Sequence, residues 1–422
     1  MLNECIIVLG ANQFQRERAL IGAEKTHAQV VTVSPNAPFH NNKYPSLTIL
    51  SQETHPEQLL KDVVGFIQKT HLELRAIIPL NDFVLNAGLA VARHFNLPYN
   101  EKNTIENCRH KDKMKAILAE ANLPIIKSHP FSSVEEAAEL ASVLGYPVVV
   151  KPLNFGGSGG VKKANSIEEL KEAITETKAH LLQHAKHYDS DPAQMVMESY
   201  VHKDREVSVE VMNTPEFSQV IGITEKYLGE EPYFSEIAHI VPSMLCEQET
   251  QSREIGKLAI NVCRALNIKF GMAHVEIKLS EDGLDPVVIE VGARPAGDGI
   301  MDLYEKSTGV NIYELHCKAY LGCLEKAALP NRFLRSSAIA YLHPEPGVID
   351  SINCQKLNEM DLQYVDLVAI KATQGQEVAI AKNWSTRYGF AEYTFWGRIP
   401  SGFNVVKNTK RMANKIFSIK EK

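Results

Sequence analysis

Residues 273–297 read AHVEIKLSEDGLDPVVIEVGARPAG, two apolar-rich runs on either side of Glu281-Asp282-Gly283. Acidic residues followed by glycine are a turn signal, so the stretch predicts an antiparallel hairpin. Glu276 and Glu290 lie equally far from Gly283. In the symmetric register they face one another, and Val275, Ile277, Leu279, Ile289 and Val291 fall on the opposite, core-facing side. Carboxylates opposed across strands repel. A hard divalent cation removes that penalty, since Mg²⁺ accepts one or two carboxylates together with phosphate oxygens. The competing reading is a pair of solvent-facing glutamates neutralised by lysines such as Lys278. Arg294, just beyond the hairpin, favours the metal, because guanidinium and metal both serve an anionic ligand.

A second stretch, residues 148–161, reads VVVKPLNFGGSGGV. In a phosphate-binding P-loop the lysine follows the glycines and opens a helix. Here Lys151 comes first, at the end of an apolar run, and Val161 to Ala164 after the glycines read as extended. A glycine loop between two extended segments is a flap. Its N–H groups can fold over phosphates while Lys151 supplies a fixed charge from the strand end. A plain hairpin loop with an ordinary lysine is the alternative.

With 422 residues the chain is long enough for two to four domains. A net charge of −6 offers no overall basic surface for nucleic acid. The seven cysteines are scattered, without C-x-x-C spacing, as in a reduced cytoplasmic protein. The opening MLNECIIVLGAN reads as a strand, not a targeting segment, and no run is long enough to span a membrane. Residues 4–98 alternate strand and helix signals, which implies βαβ units and a parallel sheet. The Gly10-Ala11-Asn12 turn lacks G-x-G-x-x-G, so a dinucleotide site is not expected. From about residue 112 helices and strands follow in mixed order. Ser133-x-x-Glu136 opens one helix as a capping box, and a strand-rich tail follows Pro330.

The order of parts is more telling than any one of them. Asp112-Lys113 is followed by VVVK with GGSGG, then MESYV and REVSVEV, then HVEI and VVIEVGAR. This order, with HFNLPYN at the first boundary, resembles the ATP-grasp superfamily over about residues 1–325. The resemblance implies an α/β protein of ATP-grasp architecture. It would have a parallel α/β pre-grasp domain (1–111), a grasp subdomain with the glycine flap (112–203), and a grasp subdomain with the metal hairpin (204–328). A small strand-rich C-terminal subdomain (329–422) would complete it. It further implies that Lys113 and Lys151 contact ATP phosphates under a flap of Gly156, Gly157, Ser158, Gly159 and Gly160. Glu198, Tyr200 and the backbone of Val201 would meet adenine, and Glu206 the ribose, although the HKDR spacer before it is one residue long. Glu276 and Glu290 would hold Mg²⁺, two ions, with Mn²⁺ as a substitute. The family often carries Asn two positions after the second glutamate, where this chain has Gly292.

Two further stretches, YFSEIAHIVP (233–242) and GARPAGD (292–298), are similar to L-amino-acid ligases, which make dipeptides. That likeness implies that Glu236 and His239 engage an amino acid's ammonium group and that Arg294 steadies the acyl phosphate and oxyanion. Ser385-x-Arg387-x-Gly389 matches the last subdomain of these ligases more weakly. The expected partners are small molecules, ATP and amino acids, with no nucleic acid and no membrane; homodimers are common in the superfamily. Two other function classes stay open. One is a carboxylase or formate-using enzyme of nucleotide or cofactor metabolism, the other a non-catalytic ATP-binding module. His180, His184 and His187 share a helical face among lysines and read as solvated. Cys263 and Cys317 read as packing groups, and Trp384 and Trp396 as core or contact residues.

Overall fold

A computed structural model describes residues 3–11, 18–35, 47–188, 194–203 and 205–420. Asn12 of the first turn and Asp204 of the HKDR spacer lie outside these, as does the side chain of His187.

The N-terminal part contains β1 (Glu4–Leu9), α1 (Arg18–Glu24), β2 (Gln29–Ser34), β3 (Leu47–Leu50), α2 (Pro56–Thr70), β4 (Glu73–Pro79) and α3 (Leu85–His94). Its four strands pair in parallel in the order β3-β2-β1-β4. Cys5 to Leu9 are all buried, because helices cover both faces of such a sheet and the strand must be apolar throughout. After β4, Asn81 accepts a hydrogen bond from the Phe83 N–H and caps a short turn that presents Asp82. Two helices, α4 (Lys102–Arg109) and α5 (Lys111–Glu120), lead into the next unit.

That unit consists of β5 (Ser128–Phe131), α6 (Val134–Leu144), β6 (Val148–Pro152), β7 (Lys162–Ala164), α7 (Ile167–Tyr188) and β8 (Met195–Ser199). The sheet is antiparallel, ordered β5-β8-β6-β7. The Ser133 hydroxyl accepts from the Glu136 N–H at the start of α6, as the capping signal predicts. Val148, Val150 and Met197 pack with residues of α6 and α7. Strand alternation then sends Val149, Lys151 and Glu198 to the other face, where they line a pocket. The glycine segment joins β6 to β7, which pair antiparallel, so it is a flap between extended segments.

The largest sheet draws on β9 (Arg205–Asn213), β10 (Ser218–Leu228), β11 (Glu236–Val241), β12 (Gly271–Leu279) and β13 (Val287–Gly292), with helices α8 (Glu249–Ala265), α9 (Ile300–Thr308) and α10 (Ile312–Tyr320). The tail adds β14 (Ser336–Tyr341), β15 (Gly347–Ile352), β16 (Val365–Ile370), β17 (Glu377–Val378), β18 (Gly389–Phe395), α11 (Val405–Ile416) and β19 (Phe417–Lys420). The eight-stranded order is β13-β12-β9-β10-β11-β14-β18-β16, and β17-β15-β19 form a separate sheet. Three tail strands thus continue the central sheet past β11.

The hairpin forms with Glu276 opposite Glu290 and Val275 opposite Val291. Val275, Ile277, Leu279 and Val291 join the core against α8, as expected. Ile289 does not. The register shifts just after Glu276, and a bulge places two residues on one strand against one on its partner. Val288 takes the core position, and Ile289 turns beside Glu290 into the pocket.

The candidate nucleotide site and the adjoining charge cluster

The pocket lies between the flap sheet and the polar face of the central sheet. On β9 and β12, Val207, Val209, Ala273, Val275 and Ile277 face α8. Alternation therefore gives Glu206, Ser208, Glu276 and Lys278 to the other side. Cross-strand pairing aligns these side chains in rows. One row runs His239–Lys226–Glu206–Lys278 across β11, β10, β9 and β12. The next runs Thr224–Ser208–Glu276–Glu290. Such a wall of charge on a sheet face stands only if each charge has a partner.

Lys226, 1 % exposed, supplies several of those partners. Its Nζ lies 2.9 Å from carboxylate oxygens of Glu206, Glu236 and Glu276. Burial alone would lower its pKa, but Glu206, Glu236 and Glu276 raise it well above the ordinary lysine range. Glu276 also contacts His274 Nε2 at 3.1 Å, and His274 Nδ1 meets the buried Glu210 at 2.8 Å. Burial opposes protonation of His274, yet Glu210 and Glu276 raise it to about 9. Against its own burial, Lys226 and His274 hold Glu276 well below the usual carboxylate range. Glu290 is paired with Lys111 at 3.0 Å.

Among the lysines of α5, Lys113 is not in the pocket. It is half-exposed and paired with Glu106. Lys111 is buried, donates to the Phe155 carbonyl at 2.7 Å and lines the pocket. Lys115 is buried beside it and donates to the Val288 carbonyl. Of the α5 lysines it is therefore Lys111, not the expected Lys113, that lines the pocket. Lys151 does line the pocket, 2.6 Å from Glu198. Burial would raise the Glu198 carboxyl, but Lys151 and Lys115 hold it at about 2. Lys115 itself, buried among other lysines, falls to about 8 despite Glu198.

The sign of the Glu198 shift sets a pH dependence. A folded pKa below the unfolded one stabilises fully above the unfolded value and loses that effect as pH falls through the folded one. Urea unfolding between pH 6 and 2 should show the native state losing up to about 3 kcal/mol from this group as pH drops from about 4.5 toward 2. Glu198→Gln should flatten that part of the profile.

Gly156, Gly157, Ser158 and Val161 line the pocket, and so do Tyr200, Val201, Glu206 and Phe234. Gly159 and Gly160 turn away: a Cβ on Gly159 would meet His180 Nε2 at 2.4 Å and Phe155 at 2.7 Å, and Gly160 backs onto Pro152. His180 and His184 of α7 are not a solvated face. His180 packs edge-on to Phe155 at 5.0 Å and beside His184 at 4.6 Å, and burial, then His184, lowers it to about 4. Trp384 lies against Gly157, where a Cβ would approach its ring to 2.9 Å. Trp396 stays on the surface under the Arg335 guanidinium. Cys263 and Cys317 are buried packing groups.

Glu236 and His239 sit beside this pocket. Glu236 lines it, and His239 Nε2 lies 3.3 Å from Asp298 Oδ2 and 3.9 Å from Glu236. Arg387 binds Asp298 through both Nη atoms, at 2.7 and 2.9 Å, and reaches Glu236 at 3.3 Å. Glu236, His239 and Asp298 are close enough to share a cation, but Lys226 and Arg387 already supply one to each carboxylate. Arg294 donates from Nε to Asp82 at 2.8 Å and from Nη1 to the Pro295 carbonyl. Its guanidinium occupies the space beside Gly292, where a Cβ would meet it at 3.1 Å. Asn at position 292 would displace it.

The side chains present suit a Mg-nucleotide. Glu276 and Glu290 are hard oxygen donors lining one pocket, and each gives its Oε1 to a protein cation. Glu198 Oε1 is a buried acceptor without a hydrogen bond, which an exocyclic amine of a base would satisfy. Lys111 and Lys151 supply positive charge between these two ends. Residues 144–302 match the family model described as the ATP-grasp domain. Over these residues the chain is similar to the ATP-grasp domain.

The chain superposes on an L-amino acid ligase from Bacillus licheniformis with TM-score 0.79, at 22 % identity and with 100 % of both chains covered. A biotin carboxylase from Campylobacter jejuni, crystallised as a β,γ-ATP complex, gives TM-score 0.67 at 18 % identity, covering 94 % of this chain and 88 % of that one. The uncharacterized protein y4rH of Sinorhizobium fredii is 28 % identical over 264 residues, 62 % of this chain. The chain aligns with about half, 52 %, of that relative's length. Among the described residues, no helix is long and apolar enough to cross a membrane.

Proposed function

We propose that this ATP-grasp chain is an ATP-dependent carboxylate–amine ligase that joins an amino acid carboxylate to an amine, a second L-amino acid, with release of ADP and phosphate. A carboxylate is a poor electrophile. Its oxygen attacks the γ-phosphorus, the bond to the ADP oxygen breaks, and the resulting acyl phosphate is open to attack. The unprotonated amine then forms the C–N bond, phosphate leaves, and the amine's surplus proton is lost. The chain's part is alignment and charge neutralisation. Lys111 and Lys151 would hold the phosphates, Gly156, Gly157 and Ser158 would cover them, and Tyr200, Val201 and Glu198 would flank the base, with Glu206 at the ribose. Glu276 and Glu290 would hold Mg²⁺, which neutralises phosphate oxygens. Arg294, fixed by Asp82, would steady the oxyanion.

One observation carries the choice of a bulky amino acid substrate. The pocket continues from Glu276 through Lys226 to Glu236, next to His239 and Asp298. Glu236 shares Lys226 with Glu206 and Glu276, so its charge is only partly met and an ammonium group suits it, whereas bicarbonate or formate would have no use for it. The likeness to the Bacillus licheniformis L-amino acid ligase supports the same reading. The test is ADP and phosphate release with Mg-ATP over pairs of L-amino acids. ADP formation that needs two amino acids is expected. Turnover with bicarbonate or formate and no amino acid would contradict it, as would tight ATP binding with no turnover of any pair.

A further inference from the structure

The three carboxylates around Lys226 have different assignments: Glu206 to ribose, Glu276 to metal, Glu236 to the substrate ammonium. One side chain, almost fully buried, touches all three at 2.9 Å. The cluster carries three negative charges against one on this lysine. His274 relieves only Glu276, and Arg387 reaches Glu236 at 3.3 Å. A single ammonium shared among three acids cannot serve each fully, so what happens to one acid changes its hold on the others. Two sites that share a group in this way are energetically linked, and the linkage works in both directions.

We infer that Lys226 couples the nucleotide site to the amino acid site: it is held back by Glu236 in the empty protein and turns to the nucleotide's phosphates once an ammonium group neutralises Glu236. The inference rests on the function proposed above. The lysine lines the same pocket as Lys151 and the flap, so an anionic triphosphate there competes with Glu236 for it. A substrate ammonium on Glu236 ends that competition, and each ligand then tightens the other. ATP would be gripped fully only with the ammonium-bearing amino acid in place, which limits wasteful hydrolysis. Lys226 is a positioning residue in this account, with an additional contact to phosphate in the loaded state.

The test needs no knowledge of the amino acid. Glu236→Gln imitates a neutralised Glu236, and calorimetry reads the affinity for AMP-PNP with Mg²⁺. Affinity should rise roughly fivefold in Glu236→Gln. In the Lys226→Met background the same change should have at least threefold less effect, since only general electrostatics remain. Lys226→Arg keeps a cation among the acids and serves if the methionine variant misfolds. With its longer reach and fixed plane it should shrink the effect without removing it. Equal effects of Glu236→Gln in all backgrounds, or none in the parent, would overturn the inference. If the parent chain fails to bind Mg-AMP-PNP, the nucleotide reading falls and takes this one with it; if it binds but the cycle shows no coupling, only the inference falls.

Discussion

Glu290→Ala should all but abolish ADP production, lowering turnover by roughly a hundred- to a thousandfold, while the fold survives. The residue sits partly exposed at the pocket on edge strand β13, and its partner Lys111 keeps a second acceptor in the Phe155 carbonyl. Removing the carboxylate leaves the buried Lys111 ammonium hydrogen-bonded to that carbonyl and in the field of Glu198, so thermal unfolding should move by no more than a few degrees. Catalysis is another matter. In phosphoryl transfer the protein does little covalent work, and charge neutralisation supplies most of the rate, about 3–4 kcal/mol for one such group. Steady-state ADP release and a melting curve on the same preparation check both halves. Normal turnover would remove Glu290 from the metal site.

Lys151→Met should do the opposite, damaging stability as well as binding. Lys151 pairs with a fully buried carboxylate at 2.6 Å, and the next cation, Lys115, is at 3.7 Å. Breaking one side of a buried pair costs about 3–5 kcal/mol because the other charge is left without compensation. With Lys115 still near, the lower end is expected. Urea unfolding should show a reduced midpoint with little change in slope. Nucleotide affinity, measured by calorimetry in the remaining folded protein, should fall at least tenfold. Lys151→Arg should recover stability better than affinity, since the guanidinium can still pair with Glu198. A variant as stable as the parent would mean that Glu198 does not depend on this lysine.

Much of this arrangement is legible in the chain. Strand periodicity and a turn signal place Glu276 opposite Glu290, because one face of the hairpin must be apolar and the other is left polar. The flap is legible because Lys151 precedes its glycines. Lys111 is misread as Lys113 for a definable reason. Lys111, Lys113 and Lys115 are spaced two apart on a helix, so 113 points away from the other two, and the i, i+4 pair shares a face. Weighing that periodicity against the Asp112-Lys113 motif would identify Lys111. Ile289 is misassigned because a bulge shifts the register by one residue, and nothing local announces it. The His180–Phe155 contact and the Trp384–Gly157 contact bring together segments far apart in the chain. Lys226 and Asp82 are missed on the same ground. Their partners arrive from other strands, and Asp82 meets Arg294 across 212 positions.

The most direct trial of the whole account is a crystal structure with Mg²⁺ and AMP-PNP. Metal should lie within about 2.1 Å of oxygens from both Glu276 and Glu290. The phosphates should lie against Lys111 and Lys151 under Gly156 to Ser158, and the base beside Tyr200 and Val201. Nucleotide bound elsewhere, or a loaded pocket in which both glutamates keep only their lysine partners and touch no metal, would contradict it.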